Sequence, residues 1–217
     1  MSDQAIPDWC AAILEPTEDQ GKRRLLLLRT AFDVIAEMGF EGLRTRTVAT
    51  RAGVNIATLH YYFPSKQDLV EGLAQFLSAK FVTLHGSKPV PSGYGALDRL
   101  RQEFSDGQYY LECEPKMLLV MQELVMRGKR DPAVQKIVDL MNFHWRQGIE
   151  QMVQEGLATG VFRSDMDAQV LSGLLLSIFA GTASTGGDRL DEIARTTESW
   201  ILSDKVKMQL DQRGAER

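Results

Sequence analysis

The stretch LRTRTVATRAGVNIATLHYYFPSK, Leu43 to Lys66, carries its own punctuation. Thr45 or a neighbour can cap a short helix through Arg46, Val48, Ala49 and Ala52. Gly53 then ends it, because glycine takes the positive φ of a C-terminal cap without a Cβ clash. Asn55 is a good N-cap for a second helix of roughly two turns, Ile56 to Phe63, its side-chain oxygen accepting from an orphaned backbone N–H. Pro64 stops that helix. Ser65 caps the next one, with Asp68 three residues on as its capping-box partner.

The inward positions are Val48, Ala49, Ala52, Val54, Leu59 and Phe63, the 3.6-residue spacing of two short helices that cross. Ile56, Ala57, Thr58, His60, Tyr61 and Tyr62 are left facing outward or flanking. An isoleucine, two tyrosines and a histidine on one short helix do little for solubility, so this face is built to touch something.

The run L-x-T-R-x-V-A-x-x-A-G-V-x-x-x-T-L-x-Y-Y-F-P-S-K resembles the DNA-binding segment of the TetR family of bacterial transcriptional regulators. The preceding helix fits as well, with a stripe of Leu27, Leu28, Ala31, Val34, Ile35 and Met38 closed by Gly39-Phe40. The match covers about Lys22 to Leu73. By that resemblance Thr45, Tyr61 and Lys66 correspond to phosphate-contacting positions, Arg46 reaches a base, and Ile56, Ala57, Thr58 and His60 face the major groove. Physical chemistry agrees with the division. A lysine at a helix start suits a phosphate, whereas an arginine offers the fork that pairs with guanine O6 and N7. The chain departs from the family pattern at Ile56-Ala57, where a polar pair often follows the cap, and at His60, where tyrosine is common.

Charge supports a nucleic-acid partner once it is divided along the chain. The net charge is −4. Residues 1–20 hold five acids and no bases, while residues 21–66 hold eight bases against three acids. A module of +5 on an acidic body favours binding DNA through one face. Composition is that of an ordinary soluble globular chain, 44% hydrophobic and 25% charged, which excludes fibrous and largely disordered classes. Cys10 and Cys113 read as free thiols in a reducing cytoplasm. The first twenty residues lack the basic start and apolar run of a signal peptide, and the apolar stretch Gly173 to Ala183 is too short and interrupted to span a bilayer.

The expected organisation is all-α: a flexible or lightly docked arm over 1–20, a helix-turn-helix module over 21–66, and a helical effector-binding and dimerisation domain over 67–217. A helix from Ser65 to about Leu84 joins module to body, and HGSKPVPSG breaks it. Further helices follow from Leu97, after Pro115, from Asp131-Pro132, from Asp167 to Ser184 and from Leu190 to Leu210. The helix from Asp167 is apolar on much of its circumference, which requires burial on more than one side. Leu171, Leu174, Leu175 and Ile178, with Ile193 and Trp200 of the last helix, are the expected homodimer interface, similar to the paired helices that form it in the family.

Methionine and aromatic residues recur at helical spacing in the body. Phe104, Gln108, Met121, Met141, His144, Trp145 and Phe179 are candidates to line an effector pocket, mostly apolar with few polar anchors. Catalysis finds little support: there is no G-x-S-x-G and no P-loop, and the three histidines show no metal-ligand spacing. No cofactor or metal is called for. The expected partners are a palindromic double-stranded DNA operator, a small hydrophobic effector of unknown identity and a second copy of the chain, with no membrane. A DNA-binding dimer without small-molecule input is the alternative, and a helical enzyme the remote one.

Overall fold

Some helix starts in this chain are set by side chains that accept from exposed backbone N–H groups. Asp131 Oδ1 accepts from the Ala133 amide at 3.1 Å and opens Pro132–Ala158, while Asp167 Oδ1 accepts from the Gln169 and Val170 amides at 2.9 Å ahead of Ala168–Thr185. This computed structural model describes residues 8–86, 95–185 and 187–215, without the side chains of residues 85, 86, 144 and 213–215. The described helices are α1 Asp8–Leu14, α2 Asp19–Met38, α3 Thr45–Arg51, α4 Ile56–Tyr62, α5 Lys66–Gly86, α6 Ala96–Cys113, α7 Pro115–Gly128, α8 Pro132–Ala158, α9 Ala168–Thr185, α10 Leu190–Ile201 and α11 Asp204–Ala215. A 3₁₀ turn, Phe40–Gly42, follows α2, and the one β-bridge among the described residues joins Phe162 to Leu202.

The chain divides into two compact units, Met1–Pro89 with Glu114–Asn142, and Val90–Cys113 with Phe143–Arg217. This partition differs from the expected boundary after residue 66, because α5 and α7 pack with the first helices. In the first unit Leu28, Ile35, Leu59, Phe63, Leu73 and Met117 are sealed from solvent. Phe32 and Phe76 meet edge to face at 6.0 Å. Of the flexible or lightly docked arm expected over 1–20, residues 8–14 are docked: α1 packs on α5 and buries Cys10 completely, and burial pushes its thiol pKa up.

The second unit is built on Leu100, Phe104, Ile149, Val153, Phe162, Leu171, Leu175 and Ile201. The bidentate pair of Arg101 with Glu198 ties α6 to α10, Nε to Oε2 at 2.8 Å. The expected single helix Leu190 to Leu210 is two. Arg163 N–H donates to the Ile201 carbonyl at 2.9 Å and Ser203 N–H to the Val161 carbonyl at 3.0 Å. These long-range bonds take the groups that would have continued α10. Phe162 lies against Gly156, where any Cβ would run into its ring. One helix, α9, is long and apolar enough to cross a membrane, with a mean hydropathy of 1.3 over 18 residues, so the expected shortfall in length is corrected. A core helix of a soluble protein meets the same description, and α9 buries Leu171, Ser172, Leu175 and Thr182 against its own unit.

Candidate nucleic-acid interface

The floor of the interface is α2, whose Leu27, Leu28, Ala31, Val34 and Ile35 are almost fully buried. Val48 and Ala49 of α3 and Leu59 of α4 bury as well. Gly53 has φ +68°, and its turn is closed by Val54 N–H donating to the Ala49 carbonyl at 3.0 Å. Asn55 Oδ1 accepts from the Thr58 amide at 2.8 Å, which fixes the start of α4. Ser65 and Asp68 form the reciprocal box that starts α5, Ser65 N–H to Asp68 Oδ2 at 2.8 Å and Asp68 N–H to Ser65 Oγ at 3.2 Å. The Ser65 hydroxyl holds the Asp68 carboxyl below its ordinary pKa. Thr45 is not a cap: it is the first residue of α3, after Arg44, which makes no side-chain capping bond.

With Leu59 inward, α4 turns Ile56, Ala57, His60 and Tyr61 out, Tyr61 at 69% exposure. Thr58 is half-buried and held to Asn55, and Tyr62 packs its ring edge to face on Tyr61 at 5.0 Å. His60 Nδ1 lies 3.2 Å from the Pro64 carbonyl, which can only accept, so that nitrogen donates. Arg46 projects from the first turn of α3, exposed. Lys66 stands with its ammonium 4.8 Å from the Phe40 ring centroid, and burial lowers its pKa.

Two features of this surface were not anticipated. An open groove of about 520 Å³ runs beside α4, where Asp19, Gln20 and Arg23 of α2 face Asn55, Ala57, Thr58, Tyr61 and Tyr62. The run Lys22-Arg23-Arg24 was the signal that could have pointed to it. The second is a contact from α7. Glu123 Oε2 accepts from the Phe40 amide at 2.8 Å, Arg127 pairs with Glu41 at 3.3 Å and lies 5.2 Å from the Phe40 ring, and Lys116 pairs with Asp33 at 3.1 Å.

Of the expected effector residues, Phe104, Trp145 and Phe179 come together in the second unit, with ring centroids 5.0 and 6.2 Å from Phe179. The indole N–H of Trp145 donates to Glu103 at 3.0 Å. Gln108 bonds instead to Glu112 on its own helix, and Met121 and Met141 are half-buried in the first unit. The side chain of His144 lies outside the described residues. On the expected dimer face, Leu174 and Trp200 are exposed at 41% and 44% and Ile178 and Ile193 are half-buried. Leu171 and Leu175, at 1% and 0%, are sealed in the chain's own core, whereas Val170 of the same helix is exposed at 62%.

Residues 27–73 match the family model described as bacterial regulatory proteins, tetR family. The HTH-type transcriptional repressor KstR2 of Mycobacterium tuberculosis is 26% identical over 153 residues, 69% of this chain and 74% of that protein. A putative TetR-family regulator from Rhodococcus sp. shares the fold with a TM-score of 0.74 at 20% identity, covering 84% of this chain and 100% of that one. So does the transcriptional regulator FadR from Bacillus subtilis in complex with stearoyl-CoA, with a TM-score of 0.70 at 17% identity over 82% and 98% of the two chains.

Proposed function

We propose that the chain is a DNA-binding transcriptional regulator of the TetR family and, from that premise, that it is a homodimeric repressor released from a palindromic operator by a small hydrophobic effector. The observation that carries the DNA half is α4 itself. It is a capped helix that buries Leu59 and presents Ile56, Ala57, His60 and Tyr61 to a partner. A single such head makes too few base contacts for an operator. Two heads set about 34–36 Å apart read successive major grooves, which is the geometry of a symmetric dimer on a palindrome. The exposed apolar side chains of Val170 and Leu174 on α9 and of Trp200 on α10 support that assembly.

The Phe104, Trp145 and Phe179 cluster offers apolar, polarisable walls with Glu103 at its edge, and the similarly folded FadR is seen in complex with stearoyl-CoA. In this reading an effector favours a conformation of the body in which α5 carries the heads out of register. A ligand of equal affinity for both conformations shifts nothing, however tightly it binds.

The experiment begins with duplexes selected by the protein from a randomised pool. Palindromic winners whose affinity falls steeply with salt are expected. A thermal-shift screen of apolar compounds, each hit then titrated against the winning duplex, tests release. Non-palindromic winners would refute the symmetric dimer, and a screen in which no stabilising compound lowers DNA affinity would leave a regulator without small-molecule input.

A further inference from the structure

We propose that Arg23, which lies outside the helix-turn-helix, anchors a backbone phosphate flanking the half-site, so that the groove between α2 and α4 is part of the DNA interface. The inference rests on the DNA-binding reading and deepens it. Three consecutive basic residues follow the first three residues of α2, and the fold sends each to a different place. Lys22 stays in solvent, its ammonium 3.7 Å from Asp19. Arg24 folds inward, its guanidinium 5.2 Å from the Phe63 ring and 3.4 Å from Gln75 Oε1, and burial lowers its pKa. Arg23 alone lines the groove, exposed and with no acidic partner among the described residues.

The opposite wall of that groove is α4. Ala57 and Tyr61 belong both to it and to the reading face, so the two surfaces are continuous. A duplex carries a negative charge about every 1.7 Å of its axis, and a backbone strand lying along α4 therefore meets whatever cation borders it. A guanidinium takes a phosphate through two parallel N–H donors, and Arg23 needs to break no ion pair to do so. Asp19, on the same rim, opposes the contact and is nearly fully exposed, so its charge is well screened.

The test compares wild type, Arg23→Ala, Arg23→Lys and Lys22→Ala on two duplexes, one selected by the wild type and one of scrambled sequence, over a salt series. Circular dichroism and thermal midpoint verify that each variant folds. Arg23→Ala is expected to weaken both duplexes alike, by about tenfold, and to reduce the slope of log affinity against log salt by about 1. Arg23→Lys should restore the slope, and Lys22→Ala should match wild type. Wild-type affinity and slope in a folded Arg23→Ala protein overturns the assignment, as does a loss confined to the selected duplex, which would make Arg23 a base reader. If the wild type binds neither duplex, the regulator reading falls and takes this proposal with it.

Discussion

Lys66 and Arg46 are the two cations whose roles separate affinity from sequence preference. Lys66 waits on the Phe40 ring, a contact worth about 0.5–1 kcal/mol at an exposed site, so a phosphate draws it away at little cost. Lys66→Ala should weaken every duplex and lower the salt slope by about 1, whereas Arg46→Ala should also flatten base preference, by about 1–3 kcal/mol at one position if its fork takes a guanine. Binding titrations on the selected duplex and its single-base variants check both, and a Lys66→Ala protein with an unchanged slope would remove the phosphate role. At this scale the sequence was most legible where a residue's function is local. Gly53, Asn55 and the Ser65–Asp68 box act within four residues of themselves, and each stands where pattern reading put it. Thr45 misled because threonine is as good at a helix start as before it, and only the backbone decides. Arg23 could not be singled out, because nothing in Lys22-Arg23-Arg24 says which of the three turns to α4.

Helix α7 meets the reading head at its most constrained point, the Gly39-Phe40 junction, where the chain leaves α2. The Glu123 carboxylate accepts the Phe40 amide proton there, while Arg127 spans the Phe40 ring and Glu41. A hydrogen bond to a charged group contributes about 1.5–3 kcal/mol, and an orphaned amide costs about as much. Glu123→Ala is therefore expected to lower stability by about 1–3 kcal/mol and to speed hydrogen exchange across Gly39 to Leu43. Glu123→Gln, which keeps an acceptor, should lose less. Equal exchange in all three proteins would mean that α7 does not hold the head. Because this contact is direct, a displacement of α7 has a route to α2 that does not pass through α5. Residues 40 and 123 are too far apart in sequence for any periodicity to join them. The break between α10 and α11 escaped for the same reason: Leu202 and Ser203 look helical in sequence and are recruited by Val161 to Arg163. Helix starts at Asp131-Pro132 and Asp167 were legible because caps are local.

Across the whole molecule the sequence showed that α9 is apolar on nearly every side, and therefore that it needs burial beyond its own core, but not which side goes where. Leucine occupies 171, 174, 175 and 176 alike, and only packing separates Leu171 and Leu175, sealed inside, from Leu174 and Val170, left in solvent. That separation makes the dimer testable by a pair of neighbours. Leu175→Glu puts a carboxylate into a site with 0% exposure, where an unpaired charge costs several kcal/mol, enough to consume much of a domain's stability. Loss of fold by circular dichroism is expected. Leu174→Glu leaves the monomer's core intact and costs little in an isolated chain, yet across a two-fold interface it brings two like charges together in a dry contact. Light scattering should then find a folded monomer where the wild type is a dimer. DNA titration should show operator affinity falling toward the scrambled-duplex level, since one head has lost the partner that fixed its spacing. A Leu174→Glu protein that remains a dimer with full operator affinity would move the interface off this face.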